Sequence, residues 1–279
     1  AEDVCNEAAL DRIFSEHKID AVVHFAGFKA VGESVQKPLE YYENNIAKPL
    51  VLLRAMMLAG CKRFVFSSTC ATYGVPTQVP IPETEKQEPI NPYGGSKYML
   101  EKVCKDCDRA YGLKSVFLRY FNASGSSVDG VIGEDHEPES HLIPVILQAI
   151  KGERPGITVF GTDYDTRDGT CIRDYVHVTD LAIAHVKALD YICKNKTSLK
   201  VNLGSETGVT VKEMLEAARR ITGKEIPADF VGRRAGDPAC LYATSAYARE
   251  ILGWQATHSD VDTLVSSTWG AYCKHQEKK

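Results

Sequence analysis

Tyr93 and Lys97 stand four residues apart directly after Asn91-Pro92, and Ser67-Ser68-Thr69 closes the apolar run that comes before them. A phenol with an ordinary pKa of about 10 must lose several units before it can act as a base at neutral pH. A lysine ammonium one helical turn away is placed to supply part of that fall. A strand-end hydroxyl can hold or relay the proton. An exposed helix contact is the competing account, because Tyr-x-x-x-Lys is a short pattern and Tyr98 and Lys102 repeat it in the same helix. Context separates the two pairs. Asn91 and Pro92 form a helix-start signal, and Tyr98 points about 140° away from Tyr93 around the helix. Gly94, Gly95 and Ser96 weaken the first turn, so a close approach is expected there.

The elements that must position these groups alternate. A helical pattern over 8–17 leads into an apolar run at 19–27 that ends in glycine and reads as a buried strand. A long helical pattern at 41–59, a strand at 62–68, a helix at 92–111 and a strand at 114–122 continue the rhythm. That alternation predicts an α/β fold, a Rossmann-like doubly wound parallel sheet. The stretch 123–140 reads as a long functional loop. Helix 142–151, strands 157–160 and 171–178, helix 180–194, strand 200–203, helix 211–222, a loop at 232–238 and a helix at 260–274 follow. The expected domains are a nucleotide-binding part over 1–122 and a smaller α/β substrate lobe over 123–279, with segments near 171–203 returning to the sheet. Ligands of open parallel sheets bind beyond the carboxyl ends of the strands. Phe25-Ala26-Gly27, Ser67-Ser68-Thr69 and Tyr120-Phe121-Asn122 all fall at such ends.

Composition narrows the function. With 44% hydrophobic and 25% charged residues the chain reads as an ordinary globular protein. A net charge of −4 offers no footprint for nucleic acid, and no apolar run reaches the roughly 18 residues of a membrane span. Nine scattered cysteines read as reduced thiols of a cytoplasmic protein, since Cys104-x-x-Cys107 lacks the second pair of a zinc frame. His136 and His141 fit no standard ligand spacing and read as part of a solvated loop, so no metal is expected; His177 reads as structural. The chain starts at Ala1 with no methionine or leader pattern and reads as the interior of something longer.

Longer motifs carry more specific information: HFAGFKAVGESVQKPLEYYENN at 24–45, FSSTCATYG at 66–74, NPYGGSK at 91–97, RYFN at 119–122, IRDYVHVTDLA at 172–182 and RRAGDPACLYA at 233–243. On these the chain resembles the extended short-chain dehydrogenases/reductases, in particular their UDP-hexose 4-epimerase members, over nearly its whole length. The resemblance implies that Tyr93 takes the proton from the sugar 4-hydroxyl while the C4 hydride moves to tightly bound NAD. Lys97 would hold the nicotinamide ribose, and Thr69 would hydrogen-bond the 4-oxygen. Cofactor positions would be Asp3, Val4, Phe25, Ala26, Gly27, Lys29, Asn44 and Phe121, with Thr69, Tyr93 and Lys97. The UDP-hexose would meet Lys29, Thr69, Tyr93, Asn122, His141, Leu142, Thr158, Val159, Phe160 and Tyr175. Arg173 and Arg234 would grip the diphosphate, as suits planar guanidinium groups, and Asp237 would accept from ribose hydroxyls. Leu241 stands where some relatives carry a bulky tyrosine, which implies room for UDP-N-acetyl sugars.

The same resemblance implies a homodimer through helices 41–59 and 92–111. It also implies a first βαβ unit with a glycine-rich turn before Asp3. No G-x-x-G-x-x-G occurs in the chain, so a fragment of a longer enzyme is expected. Three other functions compete. A nucleotide-sugar 4,6-dehydratase would need an acid pair just after Thr69, where Cys70 and Ala71 stand. A decarboxylating sugar-nucleotide enzyme would share the fold. A non-catalytic nucleotide-sugar or NAD sensor would have no chemical need of Thr69, Tyr93 and Lys97.

Overall fold

The computed structural model describes residues 2–136, 139–234 and 237–276, so residues 235 and 236 of the expected 232–238 loop lie outside the described residues. Four strands, Val22–His24, Arg63–Ser67, Lys114–Arg119 and Leu199–Asn202, form one parallel sheet in that spatial order. The register sets Val22 beside Phe64, Val65 beside Val116, and Leu118 beside Val201. Phe64, Val65, Phe66, Val116, Phe117 and Leu118 are all buried, as strands covered on both faces require. One face packs Phe64, Phe66 and Phe117 against Leu52, Met56, Leu100 and Cys104. The other packs Val65, Val116 and Leu118 against Leu181, Ala184, Ala188 and Trp254. The expected α/β class with parallel strands is the fold adopted.

Helix Pro92–Tyr111 coincides with its sequence expectation because both ends are marked. The Asn91 side chain accepts from Gly94 N at 2.8 Å, and Gly112 closes the helix in the left-handed region at φ 75°. A third core, built on Ile146, Leu147, Val159, Met214, Leu215 and Leu264, lies under helices Leu142–Ile150, Val211–Thr222 and Val261–Gln276.

Several boundaries differ from expectation. The strand expected over 114–122 stops at Arg119, and Asn122–Ser124 pairs instead with Tyr175–His177. The strand expected over 171–178 is broken at Asp174. Its first part, Ile172–Arg173, lies between Cys240–Leu241 and Val209–Thr210. Asp174 is fully buried, its carboxylate accepting from Ser205 N at 2.8 Å and Ala243 N at 3.0 Å, while its carbonyl turns to accept from Asn122 N at 3.3 Å. The helix expected over 41–59 starts earlier, at Pro38, and runs through a π-helical turn at Glu43–Ala47 before Lys48–Leu58. Strand Ala228–Val231 and helices Val31–Gln36 and Ala246–Leu252 have no counterpart among the expected elements. Short strands depend on their partners more than on their own composition.

Candidate functional site

The segment 25–29, Ser67-Ser68-Thr69 and Tyr120-Phe121-Asn122 follow three adjacent strands of the main sheet and so emerge at one edge. Lys97 sits behind them. Its Nζ donates to the Ser67 carbonyl at 3.0 Å and lies 4.8 Å from the centre of the Phe66 ring. Burial pushes the ammonium down to about 8. That carbonyl is its one hydrogen-bond acceptor among the described residues, so a buried cation keeps N–H groups unspent. A Cβ on Gly27 would come 3.2 Å from Asn45 Oδ1 and 3.4 Å from Lys97 Nζ, so glycine keeps room beside the ammonium that a side chain would crowd.

Tyr93, in the first turn of its helix, stands close enough to Thr69 for that hydroxyl to favour its ionised form. Burial drives its phenol up to about 12, with the Thr69 hydroxyl opposing the rise. The depressed phenol expected from the sequence is therefore not what the chain's own residues produce, because desolvation outweighs them. Thr69 is buried; its Oγ1 accepts from Ala71 N at 3.1 Å and faces the Tyr120 carbonyl at 3.4 Å. Beside it, Ser67 Oγ and the Tyr120 hydroxyl share a short hydrogen bond. By contrast, Lys102 lies over the Tyr98 ring on the surface, 5.7 Å from its centre.

The close approach expected at Gly94 and Gly95 is made by the chain itself. A Cβ on Gly94 would meet the Ala71 carbonyl at 2.6 Å, and one on Gly95 would meet the Tyr42 hydroxyl at 3.3 Å. Ser96 accepts from Asn45 Nδ2 at 3.0 Å. These contacts seat the Tyr93 turn against the 70–73 turn and the π-helical segment.

Two positioning groups escaped sequence reasoning. Asn45 exchanges hydrogen bonds with the Phe28 backbone at 2.8 and 3.0 Å, while Asn44 bonds Asn45 Oδ1 at 3.1 Å. Its signal was available at the end of the 24–45 motif. Glu101 is fully buried; it accepts from Ser68 Oγ at 2.7 Å and from Arg119 Nε at 2.9 Å. Burial alone would raise its carboxyl, but the Arg119 bonds and charge hold it below its ordinary value. Glu101 lies one turn past Lys97, and that spacing alone could not show it is buried.

The other half of the site gathers around Arg173. Asp237 accepts from Arg173 Nη2 at 2.5 Å and from Arg234 Nη2 at 2.9 Å, joining both guanidinium groups. Arg234 lies over Phe160, 5.4 Å from the ring centre. Leu241 pairs in register with Arg173, and both Leu241 and Phe121 pack on Cys70, Tyr73 and Ile81. Thr158 and Phe160 point outward, whereas the Val159 and Tyr175 side chains lie in the core, leaving Val159 only its backbone to offer. Asn122 Nδ2 donates to the Asp174 carbonyl at 2.8 Å. Leu142 opens its helix, with His141 as N-cap.

Asp3 accepts from Lys48 Nζ at 2.7 Å and from Cys5 N at 3.1 Å, and the lysine holds its carboxyl down to about 2. Val4 follows it in the same turn, half-buried. Phe25 is 59% exposed, with its ring centre 4.5 Å from that of His185. Ala26 is exposed beside it. Lys29 Nζ lies 3.0 Å from His136 Nε2 and 2.9 Å from His141 Nε2. Glu139 lies against both rings and is 8% exposed, so the 133–141 loop is not simply solvated. Burial first, and the Glu139 charge second, push the Glu134 carboxyl up to about 7.

The family model described as GDP-mannose 4,6 dehydratase matches residues 1–268. A UDP-glucose 4-epimerase of Lacticaseibacillus casei is 50% identical over 275 residues, 99% of this chain and 83% of that protein. The crystal structure of a UDP-glucose 4-epimerase from Brucella ovis in complex with NAD matches with TM-score 0.94 and 46% identity, over 97% of this chain and 83% of that one. One from Bifidobacterium longum in complex with NAD+ and UDP matches with TM-score 0.92 and 40% identity, over 100% and 83%.

Proposed function

The chain belongs to the UDP-glucose 4-epimerase family of extended short-chain dehydrogenases/reductases, and we propose that it interconverts UDP-galactose and UDP-glucose through a transient 4-keto sugar, with NAD held in the cleft. The observation that carries this reading is the convergence of Thr69, Tyr93 and Lys97, with the lysine's buried ammonium spending one hydrogen bond on the Ser67 carbonyl. Lys97's unspent N–H groups and the space kept by Gly27 suit a ribose diol, so the residues present fit a dinucleotide there. NAD, when bound, supplies a hydride acceptor and a positive charge.

Tyr93 takes the 4-hydroxyl proton and later returns it. Its phenol stands at about 12 in the chain alone, so most of the fall needed for base catalysis must come from positive charge brought in with the cofactor. Thr69, held by Ala71 N, lies beside Tyr93 and can carry the proton. Arg173 and Arg234, aligned by Asp237, take the diphosphate. Lys29, Asn122, His141, Leu142, Thr158, Val159 (through its backbone), Phe160 and Tyr175 complete the sugar-nucleotide side. Asp3, Val4, Phe25, Ala26, Asn44 and Phe121 complete the cofactor side.

The dehydratase reading is not favoured. After Thr69 the chain offers Ala71 and Cys70, whose thiol burial pushes well above its ordinary value, so neither forms an acid pair. Leu241, beside Arg173, leaves room for an N-acetyl group, and we extend the proposed substrates to UDP-N-acetylhexosamines. Leu39, Tyr42, Ile46, Leu50 and Met99, with Glu43 and Ala47, line a shallow, mostly apolar depression of about 520 Å³ on helices 38–58 and 92–111, which supports a homodimer through these helices. No described helix is long and apolar enough to cross a membrane. On its nine free thiols we place the protein in the reducing cytoplasm.

The test is conversion of UDP-galactose by the NAD-loaded protein, read by a UDP-glucose-oxidising dehydrogenase. Tyr93→Phe should lose about 10²–10⁴-fold in rate and keep its binding of UDP. No UDP-glucose from the native protein, or a native rate in Tyr93→Phe, would refute the proposal.

A further inference from the structure

The loop 133–141 carries no part of the hydride transfer, yet four of its titratable side chains, Glu134, His136, Glu139 and His141, converge. His136 Nδ1 lies 3.7 Å from Glu134 Oε1 and 3.5 Å from Glu139 Oε2. His141 Nδ1 lies 3.5 Å from the same Glu134 oxygen and 2.6 Å from Glu139 Oε1. One ligand atom from each of the four residues falls within 4.8 Å of the others. A tetrahedral ion with bonds of about 2.0–2.1 Å to nitrogen and oxygen needs its ligand atoms about 3.3–3.4 Å apart. Three of these four nitrogen–oxygen edges already stand close to that spacing. The fourth is a hydrogen bond that must open by somewhat under about 1 Å to match.

We propose that Glu134, His136, Glu139 and His141 bind one divalent transition-metal ion of the zinc type. The expectation of a metal-free solvated loop followed from spacing along the chain, and the fold brings the four groups together across that spacing. Two imidazoles with two carboxylates suit zinc and its neighbours rather than magnesium or calcium, which prefer all-oxygen shells. His136 Nδ1 is shut off from water and has no hydrogen-bond partner, which leaves one ligand atom aimed into the cluster with its lone pair or proton unspent. Glu139 is held in place independently of the imidazole rings, because the backbone N–H groups of Ser140 and His141 donate to its Oε1 at 2.7 and 2.8 Å. Such outer bonds pre-orient a ligand carboxylate.

The ion has a competitor in Lys29. Its ammonium lies within 3.0 Å of both Nε2 atoms, which requires those nitrogens to accept. An ion on Nδ1 of a neutral imidazole leaves the ring proton on Nε2, where it can no longer accept from lysine. Metal binding and the lysine contact therefore exclude each other, and the ion frees Lys29, the residue just past the Phe28 backbone that Asn45 grips.

The experiment uses the full chain and the metals alone. Protein incubated with Zn²⁺ and desalted is assayed for retained metal, and Co²⁺ is added separately for its visible spectrum. About one zinc per chain and the intense visible bands of tetrahedral Co²⁺ are expected, as a four-ligand site gives. His136→Gln and Glu134→Gln, each checked for folding by circular dichroism, should weaken zinc binding by at least about tenfold. No retained zinc, a weak octahedral cobalt spectrum, or binding unchanged in both folded variants overturns the proposal. Should a variant fail to fold, the cobalt spectrum of the native protein decides.

Discussion

Replacing Lys97 with methionine should make the NAD-free protein more stable at neutral pH while removing its activity. The ammonium falls from an ordinary 10.5 to about 8 because it is buried. At about 1.36 kcal/mol per unit, keeping it charged in the folded chain costs roughly 3 kcal/mol, and methionine of similar length removes that cost. The lost charged bond to the Ser67 carbonyl returns about 1.5–3 kcal/mol of it, so a net gain of up to about 1.5 kcal/mol is expected. The sign is fixed by linkage. Between pH 8 and 10.5 the unfolded chain holds the proton that the folded chain has released, so native stability rises with pH there. The advantage of Lys97→Met is therefore full below pH 8 and fades as pH climbs toward 10.5. Urea titrations of both proteins at pH 7 and pH 10 measure it, alongside the UDP-galactose assay. A variant less stable than native at pH 7, or a difference independent of pH, would refute the argument that Lys97 is a strained group kept for function.

Four further outcomes are expected. Leu241→Tyr should leave UDP-galactose turnover within a few fold and suppress UDP-GalNAc turnover; equal loss on both substrates, or no native activity on UDP-GalNAc, counts against the space argument. Arg173→Leu should raise KM for UDP-galactose more than about tenfold, since a charged hydrogen bond is worth about 1.5–3 kcal/mol, with NAD content unchanged; an unaltered KM would remove Arg173 from the site. His24, stacked on Phe64 and Phe66, is pushed down to about 4 by burial first and the Lys97 charge second. Its folded pKa lies below the unfolded one, so stability should fall as pH drops from 6.5 toward 4, and His24→Phe should flatten that fall in denaturation midpoints. Leu50→Glu should convert a dimer to a monomer in sedimentation; a native protein that is already monomeric defeats the interface.

Much of the site was legible because its parts are local. Tyr93 and Lys97 share one helix whose caps are written in Asn91, Pro92 and Gly112, and the strand ends are marked where apolar runs stop. The direction of the Tyr93 shift was not legible, since the i+4 cation is visible in sequence but the burial that overrides it belongs to the packed structure. Asn45 and Glu101 were missed for the same reason. Their partners, Phe28, Ser68 and Arg119, lie 17, 33 and 18 residues away.

What the sequence by itself determined is the alternation of buried strands and capped helices, and with it the parallel sheet and the edge where its ligands meet. Periodicity and caps act over a few residues, so they can be read there. Only the tertiary structure decided where strand 114–122 ends, that Asp237 joins two guanidinium groups, and that two histidines and two glutamates of an apparently polar loop face one another. Those outcomes follow from burial and from contacts between distant segments, where the cost of leaving a polar group unpaired, rather than any local preference, selects the arrangement.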